Sequence, residues 1–434
     1  MKSFLVSVSL LMCGMYCCAQ SSLRILTVDE MFRLAEENSK AMKPYATAVA
    51  EADQAIETAR NARLPEVSMQ LSFSYLGDGT IMDREFTNIT RADMPHFGNN
   101  FALEASQVIY TGGAITAGIK LAELAKQQAV LGQDQNRQQV RMLLIGQYLD
   151  LCKMYNNKKV YEKNIELTEK VIEDLNKRHE QGVVLRNDIT RYELQLSNLQ
   201  LVLTQICNTI DILNSNLCTY LGLKNTTLQP DHGLLNQSIP VTLKDAWTNE
   251  ALEKSSSLRQ LELAVDMSRE QRKIINAERL PSIALVASDH FDGPITIEVP
   301  PINKNFNYWY VGVGMKYNLS SLYKTRKELR KSDFAIQKSC EQLENAREQT
   351  SIAMNEAYIK YNESYVEKAA QEKNVQLAQE NYDVVRTRYD NGMSLITDML
   401  DASNSLLTAQ LQLENAKINI IFSYYKMKFI ANTL

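Results

Sequence analysis

Two stretches of this chain, "RHEQGVVLRNDITRY" at 178–192 and "RYDNGMSLITDMLDA" at 388–402, carry the same punctuation. In each, an Arg stands four residues before a Gly and an Asp six after it: Arg178, Gly182, Asp188 and Arg388, Gly392, Asp398. The glycines lie 210 residues apart, and other short matches recur at nearly that distance. "RLP" at 63–65 returns at 279–281, and "LTVDE" from 26 is answered by "VTLKD" from 241. Self-similarity on this scale means that the fold is built twice. It predicts one structural repeat over 20–222, a linker over 223–240 containing Pro230 and Pro240, and a second repeat over 241–434.

Each repeat opens with a helix start signal. Thr27 with Glu30, and Thr242 with Asp245, pair a capping hydroxyl with an acid able to reach back to it. Each first helix is expected to end at Leu-Pro, because Pro65 and Pro281 push the preceding residue out of helical geometry. The period then changes. In "EVSMQLSFSY" (66–75) the apolar Val67, Met69, Leu71, Phe73 and Tyr75 alternate with polar residues, the pattern of a strand with one greasy face.

A second run, about 101–109, follows a polar loop near 77–99. The other repeat offers about 282–288 and then Trp309 to Tyr317, across a loop near 289–307. Strands of this length with one apolar face suit an outer-membrane β-barrel. Four strands cannot close a barrel, and lipid does not tolerate open edges. Several copies must therefore share one wall; three would give twelve strands.

Gly (16) and Pro (9) are scarce for 434 residues, which favours long helices. Helical stretches are predicted over about 111–181 and 321–391, broken only at the tip glycines. The returning arm of the first repeat has a seam at Tyr192, Leu196, Leu199, Leu203, Ile206, Ile210, Leu213, Leu217 and Tyr220, spaced 4-3-4-3 as in a coiled coil. The second arm has two adjoining stripes, Leu407-Leu411-Ile418-Ile421-Tyr425 and Leu406-Leu413-Ile420-Tyr424-Met427. Two stripes suit a helix packed between two neighbours.

Residues 1–19 read as a signal peptide: Lys2, an apolar run, and small residues before a cut after Ala19. Lipidation at Cys17 or Cys18 is disfavoured by the bulky Tyr16. Removal of this segment leaves Cys152, Cys207, Cys218 and Cys340, without metal-ligand spacing and read as buried small hydrophobes. Acids (51) nearly balance bases (47), so no basic field points to nucleic acid. The histidines His96, His179, His232 and His290 fall in expected loops or at a tip, without a nucleophile or paired acid at catalytic spacing. No enzyme, metal site or cofactor is expected.

The element order, the tip "GMSLITDMLDASNSLLTAQ" (392–410) and the junction "SQVIYTGG" (106–113) resemble the TolC family of outer-membrane efflux proteins across nearly the whole mature chain. The resemblance implies a mainly α fold with membrane β. Long antiparallel helical hairpins form a periplasmic tunnel, and four strands per chain join a trimeric twelve-stranded barrel in the outer membrane. It implies a passive exit duct of a tripartite efflux or type I secretion system. Its partners would be two further copies, outer-membrane lipid, a periplasmic adaptor (membrane fusion) protein and an inner-membrane pump or secretion transporter.

At the tips the resemblance implies that Asp398 and Asp401 face the pore and form its constriction. Tyr389 matches a latch tyrosine with Asp188 as its partner, and Ser394 stands where some members carry an arginine. Arg178, Gly182, Arg388 and Gly392 fall on the turns that dock the adaptor. The residues add one contrast. Where the second tip has Asp398 and Asp401, the first has Asp188 and Arg191, spaced to compensate each other on a helix. An acid near a helix N-terminus also serves the helix itself. A trimeric coiled-coil surface protein anchored by a barrel is the alternative reading, and an uptake porin a third.

Overall fold

The computed structural model describes residues 22–231, 233, 243–298 and 301–434. The expected signal peptide, His232, Pro240 and the Thr242 cap lie outside these residues.

In chain order the elements are β1 (Ser22–Leu26), α1 (Val28–Asn38), α2 (Lys43–Arg60), β2 (Glu66–Tyr75), β3 (Gly79–Ile81), β4 (Thr90–Ala92) and β5 (Phe97–Tyr110). The long helix α3 (Ala114–Glu180) then returns as α4 (Arg186–Leu221), followed by β6 (Thr226–Pro230). After it come α5 (Lys244–Lys254), α6 (Ser256–Ala277), β7 (Ser282–Gly293), β8 (Phe306–Lys316), α7 (Ser321–Asp390) and α8 (Ile396–Ile430). The order of helix pair, two long strands, long helix and returning helix thus runs twice. No described helix is long and apolar enough to cross a membrane.

Thr27 caps α1, its hydroxyl accepting from the Glu30 N–H at 3.3 Å. The Glu30 carboxylate does not reach back as expected, because it pairs with Arg24. Nor does the first helix of either repeat run unbroken to its Leu-Pro. It stops at Ser39 in one and at Ser255 in the other, where the serine N–H closes onto Ala35 O and Ala251 O. The Ser39 hydroxyl accepts from Ala41 N and that of Ser255 from Leu258 N. Serines compete for backbone groups in this way and favour helix ends.

The linker expected at 223–240 contains β6, which pairs in parallel with β1 from Ser22↔Thr226 to Leu26↔Pro230. Tyr148 of α3 pins this pair, donating to Leu26 O at 2.8 Å and accepting from Asp231 N at 2.9 Å.

The four long strands form one antiparallel sheet in the order β2-β5-β7-β8. The first strand matches its expected limits, whereas the other three extend beyond the runs read from sequence, so the connecting loops are shorter. Register places Met69 opposite Leu103, Leu71 opposite Phe101, Phe101 opposite Phe291 and Leu285 opposite Val313, all on one face. Val311, Trp309 and Met315 continue it. The other face carries Ser68, Gln70, Ser72, Glu104 and His290. The apolar face is open: Met69 is 69% exposed and Trp309 73%. In water each such side chain would forgo roughly 1.5–3 kcal/mol of burial. Asp289, on this face, accepts from Asn307 at 2.9 Å, so both polar groups are satisfied near the strand ends.

Two compact units each draw on both repeats. One comprises residues through 46, 132–258 and 346–434; the other comprises 47–131 and 259–345. The sheet belongs to the second unit.

The first unit holds the helical core. Every residue of the α4 seam is buried or half-buried. The two α8 stripes enter separate clusters, as a helix between two neighbours requires. Ile418 and Ile421 pack with Leu144, Ile145 and Tyr148 of α3, while Ile420 and Met427 pack with Trp247 of α5 and Met354 and Tyr361 of α7.

Cys152 and Cys218 are buried, but Cys207 and Cys340 are only half-buried, short of the burial expected of all four. Burial pushes the Cys152 thiol up to about 12. His290 lies in β7 rather than a loop, its Nε2 2.7 Å from Ser288 Oγ.

Candidate functional site

The recurrent Arg-Gly-Asp spacing is the spacing of a helix ending and another beginning. At the first tip the N–H of Gly182 donates to His179 O at 2.8 Å and that of Val183 to Arg178 O at 3.0 Å. At the second, Gly392 donates to Tyr389 O at 2.9 Å and Met393 to Arg388 O at 2.8 Å. This pair of bonds is the Schellman ending, which needs a left-handed residue at the second position past the last helical residue. Gly182 (φ +78°) and Gly392 (φ +70°) supply it. The Arg is therefore the third-last helical residue. Leu185 and Leu395 are the N-cap residues of the returning helices, and the Asp six beyond each Gly becomes the third residue of α4 or α8.

From this shared backbone the side chains diverge. Asp398 accepts from the backbone N–H of Leu395 at 3.1 Å and from the Ser394 hydroxyl at 2.9 Å, closing the start of α8. Ser394 thus serves a local cap. Asp188 makes no such bond at the start of α4. Nor does it pair with Arg191 as the spacing suggested: among the described residues no ion pair joins them, and Arg191 is exposed. The nearby ion pair is instead Arg186 with Glu193, at 3.3 Å. Asp401 is exposed, one turn beyond Asp398, and Arg388 is exposed at the end of α7.

Arg178 ties the two hairpins together. Its Nε lies 2.9 Å from Asp174 Oδ2 on the same helix, and its Nη2 2.7 Å from Asp390 Oδ1 at the end of α7. Sequence reasoning missed Asp390, although a signal was present. A carboxylate in the last helical residue opposes the helix dipole and calls for a cation. Tyr389 sits beside this group, half-buried. Its pKa is raised by burial and then by the charge of Asp188, with Arg178 opposing. Among the described residues no hydrogen bond joins Tyr389 to Asp188, so the expected latch contact is electrostatic proximity only.

Behind the charges lies an apolar knot of Leu175, Ile189, Tyr192, Ile396 and Met399, with Tyr389 and Val385 packed against it. Each of the four helices contributes, so the tips form one body. Tyr192 is 2% exposed, and its hydroxyl is buried without a hydrogen-bond partner. Burial raises its pKa beyond the ordinary tyrosine range. The described residues hold no cluster of three or more His, Cys, Asp or Glu suited to a metal.

Residues 247–424, which contain the second tip, match the family described as outer membrane efflux protein. That segment is similar to the efflux family. TolC, an outer membrane protein of Vibrio cholerae, is 20% identical over 413 residues, covering 93% of this chain and 90% of the relative. Likeness of fold extends along the chain. The outer membrane protein VceC of Vibrio cholerae superposes with a TM-score of 0.76 at 14% identity, covering 93% of this chain and 96% of VceC. The Campylobacter jejuni outer membrane channel CmeC gives 0.72 at 13% identity, covering 94% and 85%. The efflux family is one of TolC-like tunnel and barrel channels, and this chain has their fold.

Proposed function

We propose that this chain is the outer-membrane exit duct of a tripartite efflux or type I secretion system, carrying small molecules or polypeptides from periplasm to exterior. The observation that carries the reading is the sheet: four strands with one exposed apolar face and unpaired outer edges at β2 and β8. An apolar face open to solvent suits lipid, and lipid forbids open edges. Because the four strands alternate in direction, β8 of one copy meets β2 of the next antiparallel. Three copies pool twelve strands, and the helical hairpins form the periplasmic tunnel. The chain supplies a passive path; an adaptor docking around Arg178, Gly182, Arg388 and Gly392, and an inner-membrane transporter, supply engagement and energy.

Asp398 and Asp401 line the entrance as acidic rings and favour cations, as charged rings do in other channels. The Arg178–Asp390 pair, with Tyr389 and Asp188 beside it, holds neighbouring hairpins in the closed arrangement. Planar-bilayer recording of the purified full-length protein tests the reading. It expects discrete conductance, cation preference reduced by Asp398→Asn with Asp401→Asn, and larger conductance for Arg178→Ala. A protein that forms no conducting oligomer sinks the duct. Unchanged selectivity in the double variant removes the acid rings alone.

A further inference from the structure

The first three turns of α7 hold an unusual charge arrangement. Lys324, Arg326, Lys327, Arg330 and Lys331 are all exposed, on a helix with no acid in its first turn. Among the described residues none of the five forms an ion pair. Glu328 is the acid among them, and Asp333 is already held by Arg272 at 2.6 Å. A cation in the first turn of a helix, here Lys324, opposes its dipole, and the four cations that follow it within two turns repel one another unless an external anion compensates. The helix that follows β5 differs: its opening carries Lys120, paired with Glu123 at 3.2 Å.

Position adds a second observation. The helix begins just after β8, whose Val311, Val313 and Met315 belong to the exposed apolar face. Between strand and cations stand exposed Leu319, Leu322 and Tyr323, and Arg330 lies 5.9 Å over the Phe334 ring. The opposite side of the helix, Ser321, Thr325, Leu329 and Ser332, is buried. At about 1.5 Å per residue the cations lie roughly 4–15 Å along the helix from its start. A headgroup layer of about 5–8 Å and a Debye length of about 8 Å bring them within reach of surface phosphates. Apolar and aromatic anchors followed by unpaired Lys and Arg form a membrane-surface signature.

Another copy of the chain answers the charge less well. Pairing across the β8 edge brings up α2, the helix leading into β2. Its Asp53 is bound to Lys126 at 2.6 Å and its Glu57 to Arg60 at 2.6 Å, leaving Glu51 against five cations.

We propose that the start of α7 is a binding site for anionic phospholipid headgroups in the periplasmic leaflet. The proposal rests on the membrane reading of the sheet. The test reconstitutes the full-length protein into vesicles mixing phosphatidylcholine with phosphatidylglycerol and measures lipids at the protein surface by native mass spectrometry and spin-label mobility. Wild type should enrich phosphatidylglycerol by roughly tenfold, less at high salt. Lys324→Gln, Lys327→Gln and Lys331→Gln together, or Arg326→Gln with Arg330→Gln, should remove most of that enrichment while conductance stays unchanged.

No enrichment by a wild type that inserts and conducts overturns the lipid site and leaves the duct standing. A protein that fails to insert overturns the duct reading. Competition by free glycerol phosphate at millimolar concentration shows a soluble-anion site and overturns the lipid assignment, as does loss of oligomers in both neutralised variants, which assigns the cations to a neighbouring copy.

Discussion

At the first tip the acid at the third helical position, Asp188, bonds nothing at the helix start and instead lends its charge to Tyr389. At the second tip Asp398, at the same position after the same turn, is spent on the backbone of Leu395 and the hydroxyl of Ser394. One turn further on, the first tip presents Arg191 and the second Asp401. Repetition of a backbone therefore does not repeat its electrostatics. The glycine turn is a shared device for reversing a helix, and the chemistry lies in the flanking residues. In the second tip the acid that caps, Asp398, and the exposed acid without a hydrogen bond among the described residues, Asp401, are separate groups, so the cap can be kept while the second charge is removed.

The largest effect should come where the tips cease to be separate. Leu175 is fully buried in the knot that all four helices share. Leu175→Ala should cost about 2–5 kcal/mol and raise hydrogen exchange at both tips together. Faster exchange at the first tip alone would show that the knot is two clusters. The glycines come next. A Cβ at Gly182 or Gly392 meets nothing within 4 Å, so the penalty is backbone strain alone. Gly182→Ala and Gly392→Ala should each cost about 1–2 kcal/mol of local stability. Unequal penalties would mean that one turn is braced by something beyond its Schellman bonds.

Tyr192 should move the other way. Its hydroxyl is buried without a partner, and an unsatisfied hydroxyl costs about 1–3 kcal/mol. Tyr192→Phe should therefore slow exchange at the tips, by about 1 kcal/mol in opening free energy. Faster exchange would reveal an ordered water on that oxygen. Asp398→Ala should destabilise the start of α8 by about 1 kcal/mol, whereas Asp188→Ala should change the start of α4 by less than about 0.5 kcal/mol. Exchange rates in the first turns of α4 and α8 read this difference directly.

Regular periodicity made much of this architecture legible. The alternation in "EVSMQLSFSY" fixed β2 to the residue, and the two stripes on α8 anticipated two packing neighbours. The short parallel pair β1 and β6 was not legible. Five residues each, with Leu26 and Leu228 as their fully buried side chains, make too short a pattern, and their pairing spans two hundred residues of chain. The breaks at Ser39 and Ser255 escaped because a serine inside a helical pattern reads as a surface residue until its hydroxyl is seen to cap. At the tips, the glycine spacing marked where both long helices reverse. Sequence reasoning paired Asp188 with Arg191 by helical spacing, but spacing permits a contact without producing one. It did not pair Arg178 with Asp390, because that bond joins residues 212 positions apart that only the packed hairpins bring together.

Asp401 should show the smallest effect on stability and a distinct effect on function. Its carboxylate is exposed and forms no ion pair or hydrogen bond among the described residues, so Asp401→Asn removes a charge without removing a contact. Tip exchange and thermal stability should match wild type within about 0.5 kcal/mol. The potassium-to-chloride permeability ratio should nonetheless fall by roughly twofold, since a ring of fixed charges acts through the potential it sets at a constriction. Arg191→Asp supplies the mirror experiment, installing at the first tip the acid that the second already has. If both tips face the same entrance, that substitution raises cation preference. If only the second does, selectivity stays at the wild-type value, and the contrast between Arg191 and Asp401 marks which hairpin lines the pore. A drop in tip stability for Asp401→Asn would contradict the division of labour between the two acids, because the outward carboxylate would then be holding structure as well.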